Sequence, residues 1–97
     1  MIVNFRDRGT EDLFNGLDSK AVRRSCPGDL QRVALRKLTM LNRAVILEDL
    51  RYPPGNHLEA LKGDRVGQHS VRINDQYRVC FVWTPEGATD VEIVDYH

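Results

Sequence analysis

The stretch HSVRINDQYRVCFVW, residues 69–83, decides the fold. Val71 and Ile73 alternate with Ser70, Arg72 and Asn74, a period of two. Asn74-Asp75 is a tight-turn pair. Beyond it Tyr77, Val79, Phe81 and Trp83 alternate with Gln76, Arg78, Cys80 and Val82. The spacing predicts two strands joined by a short turn, with the apolar set on one face. Downstream, Pro85-Glu86-Gly87 makes a second turn, and Val91, Ile93 and Val94 form a last strand running to His97. Consecutive strands on short turns give an antiparallel meander.

Upstream the period changes. Met1 to Phe5 is apolar and β-prone, and the charged turn Arg6-Asp7-Arg8-Gly9 follows. Thr10 reads as an N-cap, with Glu11 and Asp12 in the first turn of a short helix that carries Leu13, Phe14 and Leu17. Residues 19–25 either extend that helix or add another turn. Pro27-Gly28-Asp29 opens a second helix at about 29–44. There Leu30, Val33, Ala34, Leu38, Leu41 and Val45 form the inner stripe, while Gln31, Arg32, Arg36, Lys37 and Arg43 face away. Ile46 to Leu50 follows, and Pro53-Pro54-Gly55-Asn56 closes the helical half. Leu58 and Leu61 precede the turn-like Lys62-Gly63-Asp64-Arg65. Helices first and strands after, with no βαβ alternation, make this an α+β chain.

The chain has 97 residues, enough for a single domain over 1–97 with one core. Its 41% hydrophobic content argues against wholesale disorder. The 14 basic and 14 acidic side chains cancel, which speaks against binding nucleic acid by bulk charge. The balance hides a segregation. All 14 basic residues lie in 1–84, whereas Glu86, Asp90, Glu92 and Asp95 crowd the last segment. Arg outnumbers Lys, and Arg makes the bidentate contacts that carboxylates and phosphates take. No stretch approaches ~20 apolar residues, so no membrane span is expected. The opening lacks a basic segment followed by an apolar run, so a cytoplasmic protein with reduced Cys26 and Cys80 is expected. No CxxC, HExxH or Cys/His cluster appears, and no metal site is expected.

Several polar residues could carry chemistry. Arg72, Asn74, Gln76 and Arg78 share the face opposite the apolar set. Two arginines side by side repel unless an anion lies between them, either a phosphate or a carboxylate from Asp95 or a partner. An ordinary solvated face gives the same pattern. Lys62 to Arg65 can present cations and backbone amides to a phosphate, or simply form a surface turn. Asp95-Tyr96-His97 sets an acid, a phenol and an imidazole in a row. His suits general acid–base work near neutral pH, although a histidine so placed is usually idle. His57 sits in the Pro-Gly loop. His69, by parity with Val71, faces the edge of the core.

Taken together, LEALKGDR (58–65), VRINDQYRVCF (71–81) and VEIVDYH (91–97) resemble the HigB-type toxins. These are the plasmid maintenance system killer branch of the RelE/ParE toxin–antitoxin superfamily. The resemblance covers the whole chain. It implies a RelE-like, microbial-RNase-like fold in which an N-terminal strand and two helices pack on an antiparallel sheet. It implies a toxin that cleaves mRNA in the ribosomal A site, contacts rRNA, and needs no metal or cofactor. The implied partner is a helix-turn-helix antitoxin, through which the toxin reaches operator DNA. The implied chemistry uses the ribose 2′-OH as nucleophile. Lys62 and Arg78 would bind and stabilise the scissile phosphate, and His97 would act as acid or base. Asp95 and Tyr96 would orient His97 or the substrate, with Tyr96 stacking on a base. Arg65 would contact phosphate, and Arg72, Asn74 and Gln76 would line the groove. Where some members carry a histidine two residues before Leu-Lys-Gly, this chain has Glu59, so the identity of the base stays open. Two other functions fit the same superfamily: a non-enzymatic toxin that inhibits gyrase, and an inactive operon co-repressor.

Overall fold

The computed structural model describes residues 1–96 and has an α+β architecture. Helices α1 (Arg8–Phe14), α2 (Lys20–Ser25) and α3 (Gln31–Arg43) precede strands β1 (Glu59–Ala60), β2 (His69–Arg72), β3 (Tyr77–Thr84) and β4 (Gly87–Asp95). The four strands form one antiparallel sheet in sequential order; β2 to β4 are the meander that the alternation predicts, and the short β1 adds a strand that the sequence reading does not name.

The opening residues do not form a full strand. Ile2 and Phe5 make isolated parallel bridges to Ala88 and Val91 of β4. Asp90, between those bridges, has φ 52° and donates its amide to the Asn4 side chain. The segment still covers the β4 edge, and an unpaired edge invites association with other chains.

Helix α1 starts earlier than the sequence suggests, and its cap is Asp7 rather than Thr10. The Asp7 carboxylate accepts from the Thr10 amide at 3.0 Å and the Thr10 hydroxyl at 2.7 Å. A carboxylate offers two acceptor atoms, so it serves both donors at once. Thr10 is fully buried instead, and its hydroxyl oxygen accepts from the Ile93 amide at 3.0 Å, which ties α1 to β4. Residues 19–25 form a separate helix, capped by Ser19. Gly9 lies against it so closely that an added methyl would overlap Ser25 and the Ala21 carbonyl.

Helix α3 packs its inner face on the sheet. Ala34, Leu38 and Leu41 join Val71, Val79, Phe81, Val91 and Ile93 in one core. Full burial of a Leu or Phe is worth about 1.5–3 kcal/mol relative to exposure. Two expectations for this helix fail. Val45 is 83% exposed because the helix ends at Arg43. Lys37 is buried rather than facing solvent: its ammonium donates to Asn56 Oδ1 at 2.6 Å. Asn56 is itself buried and donates to the carbonyls of Leu50 and Tyr52, at 3.1 Å each. This one amide closes the Pro-Pro-Gly loop onto α3.

Candidate functional site

The strand register builds the site. Glu59, Ser70, Cys80 and Glu92 stand in one row across β1 to β4, and Arg72, Arg78 and Val94 stand in the next. These residues share the sheet face turned away from α3, since Val71, Val79 and Phe81 point into the core.

Arg78 is the centre. Its Nε donates to Ser70 Oγ at 2.7 Å and its Nη1 to Glu59 Oε1 at 3.1 Å. Its Nη2 donates to the His57 carbonyl. The Tyr96 ring lies over the guanidinium, with the centroid 5.9 Å away. The Arg78 side chain is only 13% exposed, against 55% for Glu59. Glu59 is therefore the solvated partner in a pair whose cation is largely buried.

Tyr96 also separates two shallow depressions. Glu59, Ala60, Leu61 and Lys62 line one with it. Arg65, Val94 and Asp95 line the other. The first gathers a carboxylate, an exposed ammonium and a phenol beside the Arg78 guanidinium. Gln76 holds this end of β4 in place: its side chain donates to Asp95 Oδ2 at 3.0 Å, and its carbonyl accepts from the Tyr96 amide at 2.7 Å.

Other residues of the expected groove are committed elsewhere. Asn74 Oδ1 accepts from the amides of Gln76 and Tyr77, at 2.9 and 2.7 Å, and so shapes the β2–β3 turn. Arg72 pairs with Asp75 across the same turn. Arg65 donates to Glu92 at 2.8 Å and Gln68 at 2.9 Å, with Arg6 3.8 Å from the same carboxylate. The Glu92 hydrogen bond raises the Arg65 pKa, so this guanidinium stays charged while it pins the 62–68 segment over the sheet. His97 lies outside the described residues.

Three contributors escape the sequence reading: Ser70, the His57 carbonyl, and Asn56 behind it. Ser70 was legible in principle, since it shares strand parity with Arg72. His57 has φ 45° and presents its backbone rather than its ring to Arg78, a role that no side-chain pattern signals. Below the site, burial pushes the Cys80 thiol up to about 11, so it is no nucleophile near neutral pH. His69 stacks on Phe81 with centroids 6.3 Å apart, at the core edge where parity put it. Among the described residues no three His, Cys, Asp or Glu side chains gather as a metal site, and no helix is long and apolar enough to cross a membrane.

Comparison with known proteins adds a family. A family model described as the RelE-like toxin of the type II toxin–antitoxin system HigB matches residues 3–97. Toxin HigB-1 of Vibrio cholerae serotype O1 is 39% identical over 83 residues, which is 86% of this chain and 84% of that protein. An uncharacterized protein of Haemophilus influenzae is 42% identical over 55 residues, covering 57% of this chain and 54% of that protein.

Proposed function

Since the chain belongs to the HigB-like family of RelE-like type II toxins, we propose that it arrests growth as an endoribonuclease acting on mRNA in the ribosomal A site. The observation that carries this reading is the Arg78 guanidinium, held by Ser70, Glu59 and the His57 carbonyl under the Tyr96 ring.

That arrangement suits metal-independent RNA cleavage. The 2′-oxygen attacks the adjacent phosphorus, and the P–O5′ bond breaks. The products are a 2′,3′-cyclic phosphate and a 5′-hydroxyl. A base takes the 2′-OH proton and an acid protonates the leaving O5′. Charge builds on the phosphate oxygens in between, and a preoriented guanidinium stabilises it without reorganising. In this role Arg78 exchanges Glu59 for the phosphate, and Lys62 neutralises the same charge from the adjoining depression. Tyr96 stacks on a base. His97 serves as acid or base, with Asp95 orienting it. Arg72, Asn74 and Gln76 shape the groove edge, and Arg65 supports it through the 62–68 segment. The ribosome supplies the rest of the RNA grip through rRNA. The partner in this reading is a helix-turn-helix antitoxin that carries the toxin to operator DNA, and the site of action is the cytoplasm.

Primer extension on mRNA from cells expressing the chain tests the reading. Wild type should give new 5′ ends within codons. Arg78→Ala should lower cleavage about 100-fold or more and keep the native circular-dichroism spectrum. Arrest with intact mRNA and inhibited gyrase supercoiling would point to the gyrase inhibitor instead.

A further inference from the structure

Helix α3 has a second face that the core does not use. Arg32, Leu35, Arg36, Thr39, Met40 and Arg43 stand at i, i+3, i+4, i+7, i+8 and i+11, the spacing of one continuous helical stripe. The same six residues line one shallow depression. A neighbouring depression continues from Arg32 and Leu35 to Leu17, an apolar side chain that is 55% exposed.

The stripe is positive and unneutralised. Helix α3 contains no Asp or Glu. Among the described residues, ion pairs engage Arg6, Arg8, Arg23, Arg65, Arg72 and Arg78 but none of Arg32, Arg36 and Arg43.

The composition of the stripe identifies its occupant. An RNA backbone would satisfy the arginines but leave Leu35, Met40 and Leu17 wet. A helix with an aliphatic seam flanked by carboxylates satisfies both. Its seam buries the apolar floor, and its Asp and Glu meet guanidinium forks bidentately. Methionine adapts its shape to such a seam. The stripe runs about 16 Å, roughly three helical turns.

We propose that the outer face of α3 is where the protein antitoxin docks, through an acidic amphipathic helix of about three turns. The inference rests on the reading of the chain as a type II toxin and adds the surface and the partner's chemistry. Because α3 packs on the sheet face opposite Arg78, the antitoxin held here need not fill the RNA groove.

The test measures binding by calorimetry between the toxin and the separately purified antitoxin encoded in its operon. Arg36→Glu should weaken binding about tenfold or more, and the triple variant R32E/R36E/R43E about 100-fold or more. Replacing a contacting antitoxin carboxylate with lysine should restore part of the loss. Hydrogen exchange in the wild-type complex should show protection over residues 31–43. That measurement, together with Arg→Ala versions, decides the matter even if the reversed triple variant folds poorly. Two outcomes overturn the proposal. One is a folded triple variant that binds antitoxin within about twofold of wild type. The other is a variant that binds antitoxin normally but loses 70S ribosomes, which would assign the stripe to RNA. Arginine-dependent antitoxin binding by a wild-type chain that leaves mRNA intact would uphold the docking surface while refuting the nuclease.

Discussion

Arg78 keeps one orientation because its partners come from three different segments: a strand hydroxyl, a strand-end carboxylate and a loop carbonyl. The loop carbonyl depends in turn on a neighbouring residue. Asn56 takes the buried Lys37 ammonium on its oxygen and gives its nitrogen to two backbone carbonyls. Asn56→Ala leaves the ammonium and both carbonyls without these partners. It should lower unfolding stability by about 2–4 kcal/mol in urea titrations and reduce mRNA cleavage beyond the folded fraction, because His57 loses its anchor. The two buried thiols set a pH limit. Burial pushes Cys26 and Cys80 from 9.0 up to about 11. Between those values the unfolded chain has shed protons that the folded chain keeps. Their stabilisation is therefore complete below pH 9 and is lost as pH rises toward 11. A Cys80→Ala variant should lose less stability over that interval, measured by thermal melts at fixed ionic strength.

At the scale of elements, the decisive contacts are those that tie the helical half to the last strand. Thr10 joins α1 to the Ile93 amide, and the opening segment lies along β4. Gly87 makes that second contact feasible. It has φ 131°, and an added Cβ would overlap the Met1 carbonyl oxygen. Gly87→Ala should therefore detach residues 1–5 and expose the β4 edge. Faster hydrogen exchange at Val3 and Arg6, whose amides bond to β4 at 2.7 and 2.9 Å, would register the loss. Light scattering should show increased self-association. The β2–β3 junction needs no such long-range partner, since Asn74 closes its turn within three residues. The α1–α2 pair does use one: the Asp7 carboxylate that caps α1 also accepts from the Ser25 hydroxyl of α2 at 3.0 Å.

Across the whole molecule, zero net charge conceals an uneven distribution of charge. One face of the sheet pairs Arg78 with Glu59, Arg72 with Asp75 and Arg65 with Glu92, and leaves Lys62 exposed. The outer face of α3 carries arginines with no acidic residue in the same helix. A molecule so balanced has little long-range pull on a polyanion. Free mRNA should therefore be cut far more slowly than the same mRNA in programmed ribosomes, by about 100-fold or more if positioning is the missing ingredient. Comparable rates on both substrates would show that the chain grips RNA unaided.

The sequence by itself determined strands β2 to β4, their order and the α+β class, whereas the short β1 and the reduction of the opening segment to isolated bridges were not legible in it. Alternation over 69–83 and two turn pairs constrain short-range pairing so tightly that a meander is the natural outcome. It also determined which polar residues share a face, because strand parity is a local property. The tertiary structure alone decided how each of them is used. Arg65 and Arg78 look alike in sequence, yet one is bound to Glu92, 27 positions away, and the other is framed by a loop carbonyl and a tyrosine ring. Lys37 falls on the polar side of a helical wheel, yet a loop amide from outside the helix buries it. Hydrogen bonds of this kind depend on the distance between atoms that folding brings together, and no periodicity in the chain encodes that distance.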